Sequence, residues 1–346
     1  MNKGILLLPG AYNSPAARFR IWQFVEPFKK AGYEVTIRVP FPDRENKNQN
    51  GQLVKLPARL SSMLRIISAW WITRDAHTFF AVITNRDIIP ELRITFLEKR
   101  IIKKGGKIIF DFDDAIHLGA RQLKLKNFIS GCTYIVGGNP MLRDYGLSLN
   151  PRTILIPTVV NTSYYHESKQ TANELIRIGW SGSASTNKVC LPLLKESMVA
   201  LAKELKFKFV VISNEDPSID WEGVRYEFIQ WRADKEVEQL QTFDLGLMPL
   251  NDTEFERGKC GLKAIQYMAL GIPALVSPVG VNAEIVQHGI SGYHCISVDD
   301  WKNYLLKLSA EPALRLEMGR NARQRVEKGY SVDYALSLWL KVFASI

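Results

Sequence analysis

The sequence predicts two α/β domains, each built on a doubly wound sheet of parallel strands. Short runs of β-branched residues alternate with longer amphipathic stretches along the chain, which is the pattern of repeated βα units. The 346 residues, with 46% hydrophobic and 23% charged side chains, are typical of a globular protein and fill two domains more comfortably than one. A polar segment without strand character, residues 161–173, separates the two series of βα units.

Six strands are predicted in each half of the chain. Those of the first half are at Ile5–Leu8, Glu34–Val39, Phe80–Thr84, Lys107–Asp111, Tyr134–Val136 and Thr153–Ile156. Those of the second half are at Leu175–Trp180, Lys208–Ile212, Arg225–Phe228, Leu245–Met248, Ala274–Ser277 and Tyr293–Ile296. The predicted domains are residues 1–165 and 166–328, and residues 329–346 form a helix expected to pack back toward the first domain. Ligands are expected in a central cleft that the two domains face.

Two features of the sequence bear on the compartment. The cysteines, Cys132, Cys190, Cys260 and Cys295, lie far apart and are too few for a disulfide framework, so a reducing environment is expected. No run reaches the ~20 apolar residues of a membrane-spanning helix. The sequence therefore predicts a cytoplasmic protein and leaves open that it works at the inner face of the membrane.

Positive charge is concentrated in the first half of the chain. The net charge is +10, but residues 1–160 alone carry 24 Lys and Arg against 12 Asp and Glu. Such asymmetry predicts an anionic partner, which could be an acidic bilayer surface, a phosphorylated substrate or a nucleic acid. A nucleic acid is disfavoured, because this half has no recognisable reading helix, zinc site or aromatic RNA-binding motif.

The most informative segment runs from Glu256 to Glu284. Apolar residues recur there at helical spacing, with glycines before them and Gly-x-Pro after them, which predicts a glycine-led helix of about three turns. The start of such a helix presents unpaired N–H groups and the positive end of the helix dipole, which suits a diphosphate. Lys259 and Lys263 would add charge beside it. On the helical pattern alone, an ordinary packing helix with solvated lysines is the more common outcome.

This segment resembles the donor-binding signature of the retaining glycosyltransferase family 4 and its relatives. The matching residues are Gly261, Met268, Ala269, Gly271 and Pro273. Further matches, which extend the likeness over nearly the whole chain, are at Ile156–Asn161, Gly179–Ser183 and Asp244–Leu250. The resemblance implies the GT-B fold and transfer of a sugar from a nucleotide-diphosphate donor with retention of anomeric configuration. It also implies that no metal ion or other cofactor is needed.

The sequence departs from the family pattern at two places. The family's typical pair of glutamates, separated by seven residues, is replaced by Gly258 and Gln266. The usual Arg and Lys that clamp the diphosphate are met by Trp180 and, loosely, Lys188. Backbone amides and nearby lysines are therefore expected to hold the diphosphate.

The resemblance also assigns the two domains. Residues 1–165 would be the acceptor-side domain and residues 166–328 the donor-binding domain. Glu284 would accept hydrogen bonds from sugar or ribose hydroxyls. The full set of predicted donor-binding residues is Gly182, Ser183, Lys188, Arg232, Lys259, Gly261, Lys263, Gln266 and Glu284.

The loop after the first strand predicts an anion site. Ser14 is a good N-cap and Pro15 suits the first helical position. Arg18 and Arg20 then lie so near the start of the helix that they oppose its dipole unless an anion binds. Asn13, Arg18 and Arg20 are therefore predicted to bind the acceptor or a phosphate. Two solvated arginines on a surface helix are the alternative.

Carboxylates cluster after the strand predicted at Lys107–Asp111. Asp111, Asp113 and Asp114 should crowd the carboxyl edge of the first sheet, where like charges favour a raised pKa. One interpretation is a D-x-D metal site, since hard cations prefer paired carboxylates. The two-domain pattern argues against it, because that motif is typical of glycosyltransferases with the other major fold.

A catalytic interpretation of these carboxylates is preferred. Asp113 or Asp114, with His117, would position or deprotonate the acceptor hydroxyl. Arg86, which follows another predicted strand, would hold the carboxylates or an acceptor phosphate. Helix capping and ion pairing with Arg86 or Arg121 is the structural alternative. The full set of predicted catalytic residues is Asp113, Asp114, His117 and Lys259.

An amphipathic stretch lies between Arg59 and Arg74 and contains Trp70 and Trp71. Tryptophans flanked by arginines are typical of a helix that lies on a membrane surface. Most amphipathic helices instead cover their own sheet, so peripheral contact with an anionic membrane and simple packing are both open. Membrane contact would suit a lipid-linked acceptor.

The residues together predict a glycosyltransferase of the hexosyltransferase type. It would move a sugar from a nucleotide-diphosphate donor to a hydroxyl of a glycan or lipid-linked acceptor, in the assembly of cell-surface polysaccharide or glycoconjugate. A nucleotide-sugar epimerase on the same scaffold is one alternative. The others are a glycosyltransferase-like binding protein that has lost catalysis, and a basic module that binds membranes or nucleic acid.

Overall fold

The computed structural model describes residues 3–43, 45–50, 52–89, 95–119, 122–167 and 175–346. The chain divides into two compact units. Unit 1 comprises Met1–Thr158, Gly258–Cys260 and Val332–Ile346, and unit 2 comprises Val159–Arg257 and Gly261–Ser331. Arg121, proposed above as a partner for the carboxylates, and residues 168–173 of the polar segment lie outside the described residues.

Unit 1 contains a six-stranded sheet. Its strands are β1 (Gly4–Leu8), β2 (Glu34–Ile37), β3 (Ala81–Thr84), β4 (Ile108–Phe112), β5 (Tyr134–Gly137) and β6 (Thr153–Leu155). All pairs are parallel, in the order β2-β1-β3-β4-β5-β6. Its first helices are α1 (Pro15–Arg20), α2 (Val25–Lys30), α3 (Ala58–Ile72), α4 (Phe96–Lys103), α5 (Gln122–Gly131) and α6 (Pro140–Leu147). Strands β1, β3 and β4 are buried at every residue, as expected for parallel strands covered on both faces.

Unit 2 contains a second six-stranded sheet. Its strands are β7 (Ile176–Ser181), β8 (Phe207–Ser213), β9 (Arg225–Gln230), β10 (Leu245–Met248), β11 (Ala274–Val276) and β12 (Gly292–His294). They are parallel in the order β12-β11-β10-β7-β8-β9, which is the order of the dinucleotide-binding fold. Its helices are α7 (Ala184–Cys190), α8 (Lys195–Ala202), α9 (Glu236–Leu240), α10 (Glu254–Arg257), α11 (Leu262–Ala269), α12 (Asn282–Ile285), α13 (Val298–Ala310) and α14 (Pro312–Gly329).

The last helix, α15 (Val332–Ala344), belongs to unit 1. Two of its aromatic side chains complete a cluster with the α2 region. Phe28 lies 5.1 Å from Phe343 and 5.9 Å from Trp339 between ring centroids, and Phe24 lies 6.2 Å from Trp339. Edge-to-face contacts of this kind stabilise a core beyond the area they bury. The carboxyl end of the chain is therefore part of the core of unit 1.

The fold class predicted from the sequence is confirmed. All the predicted strands are present, and their ends differ from the prediction by at most two residues. The predicted glycine-led helix is shorter than expected, with about two turns in α11. Gly261 at φ 67° and Gly271 at φ 72° lie in the left-handed region, so the helix can extend in neither direction.

None of the helices in the described ranges is both long enough and apolar enough to span a bilayer. All four cysteines are buried and unpaired as disulfides.

Candidate active site

The strand order of unit 1 reverses between β1 and β3, and ligands of such folds bind outside the carboxyl ends of strands at this point. The loops that follow these two strands are joined there by a hydrogen bond. The buried Asn85 accepts it through Oδ1 from the backbone N–H of Gly10, at 3.2 Å. Arg86 is the next residue, and β4, the neighbour of β3, carries the acidic residues. The sheet thus brings Arg86 and the carboxylates to one edge.

Arg20 and Asp111 form a fully buried ion pair. The Nη2 of Arg20 lies 2.5 Å from Oδ1 of Asp111, and its Nε donates to both carboxylate oxygens at 3.0–3.1 Å. The remaining donors reach the backbone oxygen of Ile156 at 3.0 Å and Oγ1 of Thr158 at 3.3 Å. Arg20, predicted as a ligand for acceptor or phosphate, therefore has its guanidinium occupied by the protein. It ties α1 to β4 and to the segment after β6.

Asp113 and Asp114 lie beside Arg86. The Nη2 of Arg86 is 3.5 Å from Oδ2 of Asp114 and 4.0 Å from Oδ1 of Asp113. Two atoms of this group, Oδ1 of Asp113 and Nη1 of Arg86, are buried and have no hydrogen-bond partner among the described residues. Leaving such atoms unsatisfied costs about 1–3 kcal/mol each, so each of them is suited to bond to a polar ligand. A hydroxyl group can donate to the first and accept from the second.

The pKa of Asp114 is shifted upward, toward neutral pH. Burial and the adjacent Asp113 carboxylate raise the pKa of Asp114 to about 6, against the opposing charges of Arg86 and Lys259. A carboxylate with this pKa is ionised at neutral pH and is still more basic than an ordinary aspartate. This is the range that suits general base catalysis.

His117 lies in a turn of 3-10 helix, Ile116–Leu118, that follows the carboxylates. Its ring is 5% exposed and stacks on Tyr145 of α6, with 3.9 Å between ring centroids. The stack fixes the ring close to the acidic edge. The predicted part of His117 in catalysis stays a prediction.

The segment Gly258–Cys260 packs against the same edge of unit 1. The buried Asn139 accepts a hydrogen bond from the N–H of Leu142 at the start of α6, and its Nδ2 donates to the backbone oxygens of Gly258 at 2.7 Å and Lys259 at 3.1 Å. The Sγ of Cys260 donates to the backbone oxygen of Asp113 at 3.0 Å. Burial and the charge of Asp113 raise the pKa of the Cys260 thiol, so the thiol stays protonated and keeps this bond.

The absence of a side chain at position 258 has a steric cause. A Cβ atom on Gly258 would lie 2.5 Å from the Cβ of Ala115, well inside van der Waals contact. A glutamate, which the family pattern has here, would therefore require the backbone to move. Lys259 is the next residue in the chain. Its positive charge opposes the rise in the pKa of Asp114, which is also in unit 1. Its predicted contact with a donor diphosphate stays a prediction.

The strand order of unit 2 reverses between β7 and β10. Gly182 and Ser183 directly follow β7, and Ser183 is the N-cap of α7. Asn214, from the loop after β8, accepts a hydrogen bond from the N–H of Ala184 at 2.8 Å. Lys188 is exposed on α7, where it lines a cavity of about 680 Å³ between this helix and the loop after β8. These predicted donor-binding residues are near the switch point of the sheet.

Lys263 is held at the same switch point by an aromatic ring. Its Nζ lies 4.4 Å from the centroid of the Trp180 ring, which is fully buried in β7. Trp180 is fixed in turn by its Nε1, which donates to Asn187 at 2.8 Å. Tyr267, about one turn further along α11, also contacts β7, because its hydroxyl accepts a hydrogen bond from the N–H of Ser181 at 3.0 Å. Trp180 thus replaces the family's arginine with a platform for a lysine.

Gln266 lies within a buried polar network. Its Nε2 donates to the hydroxyl of Tyr165 at 2.9 Å, and that hydroxyl donates to Glu236 at 2.5 Å. Trp231 donates to the other carboxylate oxygen of Glu236 at 3.1 Å. The side chain of Gln266 is 5% exposed, so the amide has a structural role in this place. Its predicted contact with the donor stays a prediction.

Gly261 ends the loop before α11 with no room for a side chain. A Cβ atom there would lie 2.2 Å from Ile285 and 3.1 Å from Oδ1 of Asn282. The left-handed backbone at this residue also favours glycine. The N-cap position of α11 therefore has no side chain of its own, and Ile285 and Asn282 of α12 lie against it. The predicted diphosphate contact at this helix start stays a prediction.

Four predicted site residues are more peripheral. Arg232 is exposed, pairs with Asp234 at 2.8 Å and follows β9, which is an edge strand two places from β7. Glu284 is exposed on α12. Asn13 is exposed in the loop before α1, and Arg18 lies over the ring of Phe19 at 5.1 Å. Their predicted roles are not tested by these positions.

No group of three His, Cys, Asp or Glu side chains within the part of the chain that the structure describes could hold a metal ion. The D-x-D interpretation needs Asp111 and Asp113 together, but Asp111 is bound to Arg20 on both oxygens.

Three residues important to the site are not predicted from the sequence: Asn85, Asn139 and Cys260. Asn139 follows two glycines and precedes Pro140, a pattern that predicts an N-cap. Nothing in the sequence indicates that its amide reaches a segment more than a hundred residues later.

Comparison with known proteins finds a family match within the second half of the chain. Residues 176–311 match the family model of glycosyl transferases group 1. D-inositol 3-phosphate glycosyltransferase of Gordonia bronchialis is 39% identical over 90 residues, which are 25% of this chain and 20% of that protein. Sucrose synthase 2 of Zea mays is 31% identical over 77 residues, 20% of this chain and 9% of that protein. The chain thus covers a fifth or less of these curated relatives.

Solved structures are similar over nearly the whole chain. Sucrose-phosphate synthase from Thermosynechococcus elongatus superimposes with a TM-score of 0.73 at 16% identity, covering 99% of this chain and 100% of that chain. HepE of Anabaena in complex with UDP-glucose gives a TM-score of 0.71 at 12% identity, with coverage of 99% and 100%. At these identities the likeness establishes the fold. The chain therefore has the GT-B fold, and its residues 176–311 match the glycosyl transferases group 1 family.

Proposed function

We propose that this protein transfers a sugar from a nucleotide-diphosphate donor, bound by unit 2, to a hydroxyl of an acceptor bound by unit 1. The observation that carries the proposal is the position of Lys263. Its ammonium group lies over Trp180 where the strand order of unit 2 reverses, within the segment that matches glycosyl transferases group 1. HepE of Anabaena, which has the same fold, has been solved with UDP-glucose.

The departing diphosphate would be stabilised by the start of α11. The N–H groups of the first helical turn have no acceptor within the helix, and the dipole places partial positive charge there. Lys263 adds a full charge beside them. Preorganised donors of this kind stabilise charge as it develops on a leaving group. The site would then need no metal ion, and transfer would continue in excess chelator.

The acceptor would bind at the acidic edge of unit 1. Its hydroxyl would donate a hydrogen bond to Oδ1 of Asp113 and accept one from Nη1 of Arg86, the two buried atoms without partners in the described residues. As the new glycosidic bond forms, the proton would pass to the Asp113–Asp114 pair. The pair favours this step, because two adjacent carboxylates disfavour a second negative charge and the Asp113 carboxylate helps to raise the pKa of Asp114.

The finer points of the proposal follow the family resemblance. The donor would be a hexosyl nucleotide, the anomeric configuration would be retained, and the acceptor would be a glycan or a lipid-linked glycan. The product would serve cell-surface polysaccharide or glycoconjugate assembly in the cytoplasm or at the inner face of the membrane.

Donor binding is tested by replacing Lys263. A thermal-shift screen with nucleoside diphosphates and their sugars should identify a ligand that raises Tm, with EDTA present throughout. Lys263→Met should weaken the affinity for that ligand about tenfold or more, since a charge-assisted contact to phosphate contributes about 1.5–3 kcal/mol. Calorimetry gives the two dissociation constants.

Lys307→Met is the matched control for Lys263→Met. Lys307 is also a unit 2 lysine above an aromatic ring, 5.9 Å from the centroid of Tyr293, but it lies on α13. The Lys307→Met variant should bind the ligand with the same affinity as the wild type. Equal affinities in Lys263→Met and the wild type would remove Lys263 from the donor site. Epimerised donor formed without any acceptor would overturn the transfer reaction itself.

The pH dependence of transfer should report the acidic pair. Because burial and Asp113 raise the pKa of Asp114 to about 6, kcat/KM should rise with pH through about 6 and level off above it. Below that pH Asp114 is protonated, and the pair has one negative charge fewer with which to accept the proton of the acceptor. A pH–rate profile on wild type and Asp114→Asn checks this. The variant should lack the inflection, and an unchanged profile would assign it to another group.

A further inference from the structure

Helix α3 exposes five of its large apolar side chains, while Ile66 and Ile72 of the same helix pack against the core of unit 1. Leu60, Met63, Ile67, Trp70 and Trp71 are between 38% and 54% exposed. At 3.6 residues per turn they fall within about 100° of the helix circumference. The buried residues of the same helix are Ser61, Arg65 and Ala69. An ordinary surface helix keeps its large apolar side chains toward the core, so a stripe of five exposed ones needs an explanation.

The buried polar side chains of α3 are hydrogen-bonded within unit 1. Arg65 donates to the backbone oxygen of Pro42 at 2.9 Å and to Oδ1 of Asn46 at 2.7 Å. Ser61 donates to the same Asn46 oxygen at 2.6 Å. The helix is therefore fixed in this orientation by specific hydrogen bonds. Its apolar stripe is held outward and is not a consequence of weak packing.

Positive charge borders the apolar stripe. The guanidinium of Arg74 lies 5.0 Å from the ring centroid of Trp71, and that of Arg100 on α4 lies 4.7 Å from Trp70. Arg59 is exposed at the other end of α3, and the helix contains no acidic residue. Phe96, one turn before Arg100 on α4, is 51% exposed. Tryptophans stacked with arginines combine an apolar body with a cationic rim.

We propose that the stripe formed by Leu60, Met63, Ile67, Trp70 and Trp71 inserts into the interface of an anionic bilayer, with its arginines at the level of the lipid phosphates. Aromatic and aliphatic side chains enter the boundary between headgroups and acyl chains, and flanking arginines bind the anionic surface. The excess of Lys and Arg over residues 1–160 favours this partner over an apolar protein surface or a second copy of the same basic face, which would repel it. The inference does not depend on the transfer reaction.

Vesicle flotation tests the surface directly. The full chain should float with vesicles of phosphatidylcholine and phosphatidylglycerol but not with phosphatidylcholine alone, and binding should weaken as salt is raised. Ile67→Asp should lower the partition coefficient about tenfold or more, because it puts a charge where an apolar side chain enters the bilayer. Brominated acyl chains should quench tryptophan emission in the wild type, and Trp70→Phe/Trp71→Phe should lose most of that quenching.

Ile296→Asp is the matched control for Ile67→Asp. Ile296 is 83% exposed and belongs to unit 2, whereas α3 belongs to unit 1, so the same substitution should leave vesicle binding unchanged. Circular dichroism and thermal unfolding should show both variants folded. Wild-type binding by folded Ile67→Asp would overturn the proposal, as would wild-type protein that binds neither vesicle. A concentration-dependent dimer that Ile67→Asp abolishes would overturn it too, since the stripe would then join two copies of the chain.

Discussion

Asp113→Asn is expected to lower kcat for sugar transfer by about one-hundredfold to ten-thousandfold, the range typical of a lost general base. The substitution keeps the shape of the side chain but removes the charge that would accept the acceptor's proton. The backbone oxygen of Asp113, which holds Cys260, is unaffected. Donor affinity and Tm should therefore stay close to those of the wild type. Single-turnover assays with a fixed donor concentration measure the chemical step.

Asp144→Asn is the control for this substitution. The side chain of Asp144 is 61% exposed on α6 and pairs with Arg143, so the same Asp→Asn change is made there on a carboxylate outside the site. Its kcat should equal that of the wild type. Removal of the Asp113 charge should also lower the pKa of Asp114 and move the acid limb of any residual activity to lower pH. A kcat within about twofold of the wild type would exclude Asp113 from the reaction.

Arg20→Met should destabilise the fold by about 3–5 kcal/mol, because it leaves the carboxylate of Asp111 buried without its partner. Arg20 is 2% exposed and Asp111 fully buried, and the pair is held on both carboxylate oxygens. Urea unfolding followed by circular dichroism gives the free energy of unfolding. If Arg20 instead served mainly as a ligand for an anion, its loss would change stability little and binding much.

Two variants separate these outcomes for Arg20. The double variant Arg20→Met/Asp111→Leu removes both charges and should recover most of the lost stability. Arg143→Met removes an arginine from an exposed pair and should cost at most about 1 kcal/mol. A loss below about 1 kcal/mol in Arg20→Met would contradict the buried pair described for unit 1.

The sheets could be predicted from the sequence because their strands are short apolar runs between turn residues. β1 and β10, for example, occupy the positions predicted for them to within one residue. The length predicted for α11 was wrong for a reason that lies in the local backbone. The sequence places glycines before the helix, and the structure shows that the helix begins only after Gly261, whose left-handed backbone the sequence does not reveal.

The candidate site was only partly predictable. Carboxylates after β4 and lysines near α11 are visible in the sequence, because parallel strands end at one edge of the sheet. The pairing of Arg20 with Asp111 is not, since 91 residues separate them. Arg20 therefore resembled an anion ligand on a short helix when it is a buried structural cation. Similarly, Trp180 could be seen to replace an arginine, but not to support Lys263.

The segment Gly258–Cys260 and helix α15 affect how the protein can fold during its synthesis. Both belong to unit 1, although residues 159–257 of unit 2 are synthesised before the first of them and α15 is the last helix of the chain. During synthesis, Phe24 and Phe28 cannot make their contacts with Trp339 and Phe343 until α15 has been made. The amide of Asn139 likewise cannot bond to Gly258 until that segment has been made. Domains usually fold in order of synthesis. Here the amino-terminal unit can be completed only after α15 has been synthesised.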